Sequence, residues 1–209
     1  MSSVPSPVLF ESDDMLVINK SAGLIVDGPA FADRFGEAKP AHRLDKDTSG
    51  VLVLAKSEAA LERLQAEFKA RRAKKEYVAL VYGVPKEKEG KIEQPLKRSS
   101  RYPMRRTVHP EGKAAVTEWR VEEEFGEKYS LLRLFPLTGR THQLRAHLHW
   151  LGHPIVGDKL YKFRKRAFAE APARVERQML HAEKLTILGQ SFEAEMPSDF
   201  SKLLDDLRG

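Results

Sequence analysis

The chain carries one dense polar stretch, His42-Arg43-Leu44-Asp45-Lys46-Asp47-Thr48-Ser49-Gly50. It runs directly into Val51 to Ala55, five apolar residues that predict a short strand buried on both faces. An acid here would stand at the mouth of a rigid sheet, where catalytic groups are often placed. A polar turn in which Asp45, Thr48 and Ser49 bond backbone donors explains the same composition. The stretch by itself leaves both interpretations open.

The rest of the chain mixes strand and helix patterns without regular alternation. Strands are predicted at 8–10, 15–18, 51–55, 77–82, 116–121, 129–135 and 185–188, and helices at 57–71, 141–151 and 199–207. Residues 27–40 are predicted to be loop, because they contain two glycines and two prolines. This mixture favours a single α+β domain over residues 1–209, built on a mostly antiparallel sheet.

Composition narrows the class of protein. The 209 residues include 36 Lys+Arg and 30 Asp+Glu, so the formal net charge is +6, which favours an anionic partner such as nucleic acid. The absence of cysteine excludes disulfides and thiolate chemistry. No apolar run is long enough to cross a bilayer, and residues 1–7 lack a secretory core. We expect a cytoplasmic protein with no membrane partner, and a monomer.

A second polar stretch, Gly139 to Arg145, opens the helix predicted at 141–151. Helical spacing places an apolar row on one face, formed by Leu144, Leu148 and Leu151. A polar row lies on a different face, formed by His142, Arg145 and His149. An arginine in such a row can reach a carboxylate on a neighbouring loop. The structural alternative is a solvated polar face.

Histidines cluster around the same predicted helix, at positions His142, His147, His149 and His153. Helical spacing would bring His142 and His149 together, but Gly152 is expected to end the helix before His153. No cysteine ligand and no HExxH pattern is present. We therefore expect no metal site.

Three clusters of positive charge lie elsewhere, at Lys69 to Lys75, Lys97 to Arg106 and Lys162 to Arg166. The second belongs to residues 97–110, which are predicted to form a basic loop or hairpin. Each one alone is typical of a solvated surface. Because they are interleaved with Tyr102, Tyr161 and Phe163, together they favour phosphate contact and base stacking.

The two polar stretches belong to a longer pattern of five motifs. These are His42 to Gly50, Lys75-Glu76-Tyr77 with Val81-Tyr82-Gly83, Gly139 to Arg145, Gly152-His153-Pro154-Ile155-Val156-Gly157-Asp158, and Leu180-His181-Ala182. In this order they resemble the RluA-type pseudouridine synthases, from about Val8 to Pro197. The chain departs from that family at Ser21, where proline is usual, and in a short segment between Gly23 and His42. We expect a minimal member without an N-terminal S4-like RNA-binding domain.

The resemblance implies a mixed, largely antiparallel sheet with flanking helices and a central catalytic cleft. It makes Asp45 the catalytic carboxylate and Arg145 its ion-pair partner. Tyr77 would pack on the target base as a candidate for proton transfer, and Arg43 would enter the RNA helix as the uridine leaves it. The other implied RNA contacts are Arg101, Arg105 and Arg106 of the basic loop, and Arg140 and His142 of the arginine motif.

The implied reaction isomerises a uridine of structured ribosomal RNA or tRNA. A carboxylate at the sugar would attack C1′ or remove the C2′ proton, and the sequence leaves both routes open. Nothing is oxidised and no group is transferred, so we expect no cofactor. The alternatives are a non-catalytic RNA-binding or RNA-chaperone protein on the same fold, and a hydrolase of RNA or nucleosides with Asp45 as nucleophile.

Overall fold

The computed structural model describes residues 6–26, 28–162, 172 and 175–209. These residues form two compact units. The first unit takes in the chain up to Lys75 together with His181–Pro197, and the second takes in Glu76–Leu180 and Ser198–Gly209. Among the described residues, no helix is both long enough and apolar enough to cross a membrane.

Strands and helices alternate irregularly in the described residues. The strands are β1 (Val8–Glu11), β2 (Met15–Lys20), β3 (Lys39–Pro40), β4 (Ser49–Ala55), β5 (Lys74–Tyr82), β6 (Glu89–Ile92), β7 (Leu96–Arg98), β8 (Arg106–Val108), β9 (Thr117–Phe125), β10 (Tyr129–Pro136), β11 (Leu180–Ile187) and β12 (Gln190–Glu193). The helices are α1 (Pro29–Phe35), α2 (Glu58–Lys69), α3 (Gln143–Leu151) and α4 (Ser198–Arg208). This is an α+β fold, in agreement with the sequence.

Strand β4 is the centre of the first unit, and all seven of its residues are buried. One of its edges pairs with antiparallel β2. Its other edge is shared, because β11 runs parallel beside Ser49 and Gly50, whereas β3 runs antiparallel beside Leu54 and Ala55. The side chain of Leu64 in α2 joins the core that β4 helps to form. The polar stretch 42–50 therefore connects β3, which pairs with one edge of β4, to the start of β4 itself.

The backbones of β4 and β11 meet at Gly50. Its φ is +118°, and a Cβ atom added there would lie 2.1 Å from the carbonyl oxygen of Ala182. Beside it, Ser49 Oγ lies 3.0 Å from Nδ1 of the fully buried His181, whose Nε2 lies 3.0 Å from the carbonyl oxygen of Ala194. A carbonyl only accepts, so Nε2 donates and Nδ1 accepts from the Ser49 hydroxyl. These contacts hold the two strands in register where the polar stretch ends.

In the second unit the antiparallel strands follow the order β5, β10, β9, β6. Leu144 and Leu148 of α3 pack with Leu132 and Leu134 of β10, which confirms the apolar row predicted for this helix. Strands β7 and β8 form a separate antiparallel hairpin. The predicted basic loop or hairpin over residues 97–110 is thereby confirmed as a hairpin.

The prediction of loop over residues 27–40 is wrong, because this segment contains α1 and β3. Pro29 occupies the first turn of α1, where a missing N–H costs nothing, and Phe31 is buried. Helix α3 begins at Gln143, two residues later than predicted, since His142 adopts a left-handed conformation with φ 55°. Strands β6 and β12 have no counterpart among the predicted elements.

We expect the replacement Gly50→Ala to lower the free energy of unfolding by at least about 3 kcal/mol, because it adds a backbone clash to an unfavourable φ. Gly126→Ala is the matched control: its φ is also positive, at +57°, but no atom lies within 4 Å of the added Cβ. It should cost about 1 kcal/mol. Urea denaturation of both variants measures the difference, and equal losses would contradict the close approach.

Candidate functional site

At the start of the polar stretch, one hydrogen bond to β4 comes from the backbone and the next involves a histidine side chain. The Ala41 N–H donates to the carbonyl of Val53 at 2.9 Å, and Nε2 of His42 accepts the N–H of Val53 at 3.1 Å. The chain then turns, with the Thr48 N–H donating to the carbonyl of Asp45 at 3.1 Å. The stretch is therefore a loop anchored on β4 at both ends, with Asp45 at its turn. The Arg43 side chain is exposed and that of Asp45 is half-buried.

His42 is electrostatically unusual. Burial, and to a smaller extent the charge of Lys75, lowers the pKa of His42 to about 3. The ring packs on Phe68 with centroids 4.7 Å apart. Burial also lowers the pKa of Lys75 to about 8. His42 is therefore neutral, with its proton on Nδ1, because Nε2 must accept from Val53.

The middle of the loop is held by Lys20, which sequence analysis did not single out. This lysine is fully buried, and its Nζ donates to the carbonyls of Ser21, Leu24 and Lys46 at 2.8, 3.0 and 3.0 Å. The Gly23 N–H donates to the same Lys46 carbonyl at 2.9 Å. Hydrogen bonds from a charged donor are the strong ones. The contacts fix the residue that follows Asp45.

A signal for Lys20 exists in the sequence. The lysine stands two residues after the buried Ile18 in β2, on the same face of the strand. A charge at an inward-facing position of a strand must be satisfied by buried partners.

In the second unit, Arg145 is 5 % exposed and forms a bidentate ion pair with Asp158. Its Nε and Nη2 donate to the two carboxylate oxygens at 2.6 and 2.9 Å. The Asp158 side chain has no exposed surface, and its Oδ1 also accepts the N–H groups of Leu160 and Tyr161 at 2.8 and 3.0 Å. Burial by itself raises the pKa of Asp158, but the hydrogen bonds and charge of Arg145 bring the pKa below its usual value.

The Arg145–Asp158 ion pair decides between the two interpretations of Arg145 in the polar row of α3. Arg145 reaches a carboxylate on a neighbouring loop, as expected, so the solvated alternative is wrong for this residue. The carboxylate is Asp158, to which sequence analysis assigned no role. The ion pair expected between Arg145 and Asp45, which belong to different units, stays a prediction.

Tyr161 packs against the same arginine. Its ring centroid lies 5.2 Å from Cζ of Arg145, and its hydroxyl accepts the Arg106 N–H at 2.7 Å and donates to the Arg106 carbonyl at 3.1 Å. His142 Nδ1 lies 3.4 Å from the same hydroxyl. The expectation that Tyr161 stacks on a base is wrong, because the side chain is 3 % exposed. Three predicted residues, His142, Arg145 and Arg106, thus gather around Tyr161.

The hairpin β7–β8 carries an aromatic ring among positive charges. Tyr102 is 39 % exposed, and the guanidinium carbons of Arg101 and Arg105 lie 5.4 and 4.8 Å from its ring centroid. The tip is ordered by a hydrogen bond from the Ser99 N–H to the Arg105 carbonyl at 3.1 Å. An exposed ring flanked by arginines suits base stacking next to phosphates. Phe163 and the cluster at 164–166 lie outside the described residues.

Tyr77 and Arg140 are the remaining predicted residues of the second unit. Tyr77 is half-buried in β5, in register with Leu134 of β10. Arg140 is exposed, and its Nε donates to the carbonyl of Ala114 at 3.1 Å. Their RNA and base contacts stay predictions.

His147 of α3 and His153 just after it form hydrogen bonds with protein groups. Nε2 of the buried His147 lies 2.9 Å from the carbonyl oxygen of Gln94, and its Nδ1 lies 2.9 Å from the Thr117 hydroxyl oxygen. His153 Nδ1 lies 2.9 Å from the carbonyl oxygen of Tyr82. Over the described ranges, no three potential ligands among His, Cys, Asp and Glu come together as a metal site.

Comparisons with known proteins find one family of relatives and similar solved structures. Residues 14–150 match the family described as RNA pseudouridylate synthase. The dual-specificity RNA pseudouridine synthase RluA of Escherichia coli K12 is 38 % identical over 209 residues, covering 92 % of this chain and 93 % of the relative. The ribosomal large subunit pseudouridine synthase D of Haemophilus ducreyi is 36 % identical over 239 residues, covering 99 % and 72 %. A solved structure, human RNA pseudouridylate synthase domain containing 1, aligns with a TM-score of 0.79 at 30 % identity, covering 98 % and 95 %.

The depressed pKa of His42 makes stability depend on pH. The unfolded chain binds a proton at this residue near pH 6.5 but the folded chain only near pH 3, so stability is lost as the pH falls through this window. At pH 5 the loss due to His42 is about 2 kcal/mol. We expect urea denaturation to show that the wild type loses this much more stability than His42→Gln between pH 7 and pH 5. Parallel losses in the two proteins would mean that His42 titrates normally.

Proposed function

The chain belongs to the RNA pseudouridylate synthase family, and we propose that this isomerase uses Asp45 as the carboxylate that converts uridine to pseudouridine. The observation that carries the proposal is the anchoring of the loop 42–50. Lys20, His42 and Gly50 hold the loop through backbone groups on either side of Asp45. A carboxylate so placed keeps its direction while a substrate is bound.

The proposed isomerisation breaks one bond to the sugar and forms another. The bond between N1 and C1′ of the target nucleotide breaks, a bond between C5 and C1′ forms, C5 loses a proton and N1 gains one. We propose that Asp45 acts at the sugar, either as nucleophile at C1′ or as base at C2′. Since the composition of the RNA is unchanged, no cofactor enters the balance.

Three further roles belong to the proposal. Arg145 is the ion-pair partner that orients the Asp45 carboxylate, Tyr77 packs on the target base, and Arg43 enters the RNA helix to replace the flipped uridine. Leaving the stack costs the base a few kcal/mol, which stacking and insertion offset. The roles are supported by the match of each residue to its motif. We also propose that residues 1–209 act as one catalytic domain and as a monomer.

The substrate proposed is a short stem-loop of ribosomal RNA or tRNA. One relative is named for dual specificity and another for the large ribosomal subunit, so both classes of RNA are open. The hairpin β7–β8 offers arginines for phosphates and Tyr102 for stacking, while Arg140 and His142 extend the same RNA contact. Such a surface reads a loop by shape, with the target uridine where unstacking is cheapest.

We expect Asp45→Asn to lower the rate of pseudouridine formation by about a thousandfold or more, because the amide is neither nucleophile nor base. The variant should fold and bind RNA normally. The control is Asp47→Asn in the same loop, which should keep the wild-type rate. The assay follows pseudouridine in an unmodified ribosomal RNA or tRNA transcript that the wild type modifies. Full turnover by Asp45→Asn would refute the proposed role.

The same assay separates this function from its alternatives. Isomerisation leaves the mass of the RNA unchanged, so a loss of mass would reveal a hydrolase. Tight RNA binding without any pseudouridine would point to an RNA chaperone.

The basic hairpin should account for part of the salt dependence of binding. Neutralising Arg101, Arg105 and Arg106 to Gln should make the slope of log affinity against log salt shallower by about 2, if each meets one phosphate. The control removes equal charge from exposed lysines of the same unit, at Lys86, Lys128 and Lys202. Equal slopes for the two triple variants would argue against phosphate contact by the hairpin. A stem-loop of roughly twenty nucleotides should serve as the RNA.

We expect activity to survive exhaustive treatment with a metal chelator, because the chemistry needs no Lewis acid. Turnover before and after chelation gives the answer. Loss that is reversed only by added zinc would show that His142, His147 or His149 had been misinterpreted.

A further inference from the structure

We propose that Asp158 is a positioning residue, which holds the guanidinium of Arg145 in the orientation that serves Asp45. The inference rests on the proposed function, because it requires Arg145 to act on that carboxylate. It gives a role to the motif that ends at Asp158, which the proposed mechanism leaves unused.

The contact fixes the arginine in more than one direction. Two parallel hydrogen bonds, at 2.6 and 2.9 Å, set both the plane of the Arg145 guanidinium and its rotation in that plane. They occupy the edge formed by Nε and Nη2, so Nη1 lies on the side away from Asp158. A single charge contact would leave the guanidinium free to rotate.

Asp158 is itself held in place. Its Oδ1 accepts the N–H groups of Leu160 and Tyr161, so the carboxylate cannot rotate without breaking these bonds. The residue before it, Gly157, has φ +76°, and a Cβ atom there would lie 2.0 Å from the carbonyl oxygen of Arg177. The backbone that presents Asp158 therefore packs directly against the backbone of Arg177.

Stability alone does not account for this pair. Burying two charges carries a desolvation cost that the ion pair has to recover, and well-packed apolar side chains often stabilise a protein equally well. What apolar side chains do not supply is a guanidinium of fixed direction. Tyr161 supports the same geometry, since its ring centroid lies 5.2 Å from Cζ of Arg145.

The test is a double-mutant cycle on Asp158→Asn and Arg145→Met. Two quantities are measured, the single-turnover rate at saturating RNA and the RNA dissociation constant, with an unmodified ribosomal RNA or tRNA transcript that the wild type modifies. We expect Asp158→Asn to slow the rate roughly tenfold to a hundredfold, as misplacement of a catalytic group does, without changing the dissociation constant. In the Arg145→Met background it should cost nothing more, because its effect passes through Arg145.

The chain offers a matched control in Arg177 and Asp199. This pair in the same unit has the same bidentate geometry, with Nε and Nη2 at 2.6 and 2.9 Å from the carboxylate. Asp199→Asn should leave the rate unchanged.

If Asp158→Asn does not fold, Asp158→Glu keeps the charge and moves the carboxylate by one methylene group. This variant should fold and still be slower than the wild type.

The outcomes separate the inference from the function on which it rests. If Arg145→Met is slow while folded Asp158→Asn and Asp158→Glu keep the wild-type rate, the positioning role alone is wrong. An equal loss from Asp158→Asn in both backgrounds would also overturn it. If Arg145→Met itself keeps the wild-type rate, the proposed role of Arg145 fails, and that of Asp158 fails with it.

Discussion

Strand β4 meets β11 at Gly50 with no room for a side chain, and the loop before it takes its position from that contact. The Lys20 ammonium donates to the carbonyl of Lys46, and the His42 ring accepts the N–H of Val53 at the start of the loop. All three restraints act on backbone groups. The direction in which Asp45 projects is therefore set by main-chain geometry on both sides of it, which substitutions of surface side chains do not disturb.

The sequence predicted those parts of the fold that local patterns determine. The apolar run of β4 and the capped helix α2, where Ser57 accepts the N–H of Ala60, need only their own residues. Helix α1 could not be predicted, because seven residues between two glycines give no sustained periodicity. The partner of Arg145 was equally hidden. Asp158 lies thirteen residues further on, beyond the end of α3, so only tertiary packing brings them together.

Buried polar groups lie both inside the recognised motifs, as Arg145 and His181 do, and outside them, as Lys20 does. Lys20, Arg145 and His181 are almost completely inaccessible, yet among the described residues every buried side-chain nitrogen or oxygen has a partner. Such groups are costly to bury and are tolerated only when their bonds are made. Their partners are mostly carbonyls and a carboxylate of fixed backbone position. A substitution that removes one of these side chains therefore leaves a fixed, desolvated partner behind.

Tyr161 adds a connection within the second unit. Its hydroxyl binds both backbone groups of Arg106 at the base of the hairpin, while its ring lies against Arg145. Because one side chain makes both contacts, a shift of the hairpin at Arg106 either breaks these hydrogen bonds or displaces the ring that packs on the guanidinium. If RNA binds the hairpin as proposed, the energy that it gains there is linked through Tyr161 to the position of Arg145. Enzymes use remote binding energy in this way, since contacts far from the reacting bond improve orientation at it.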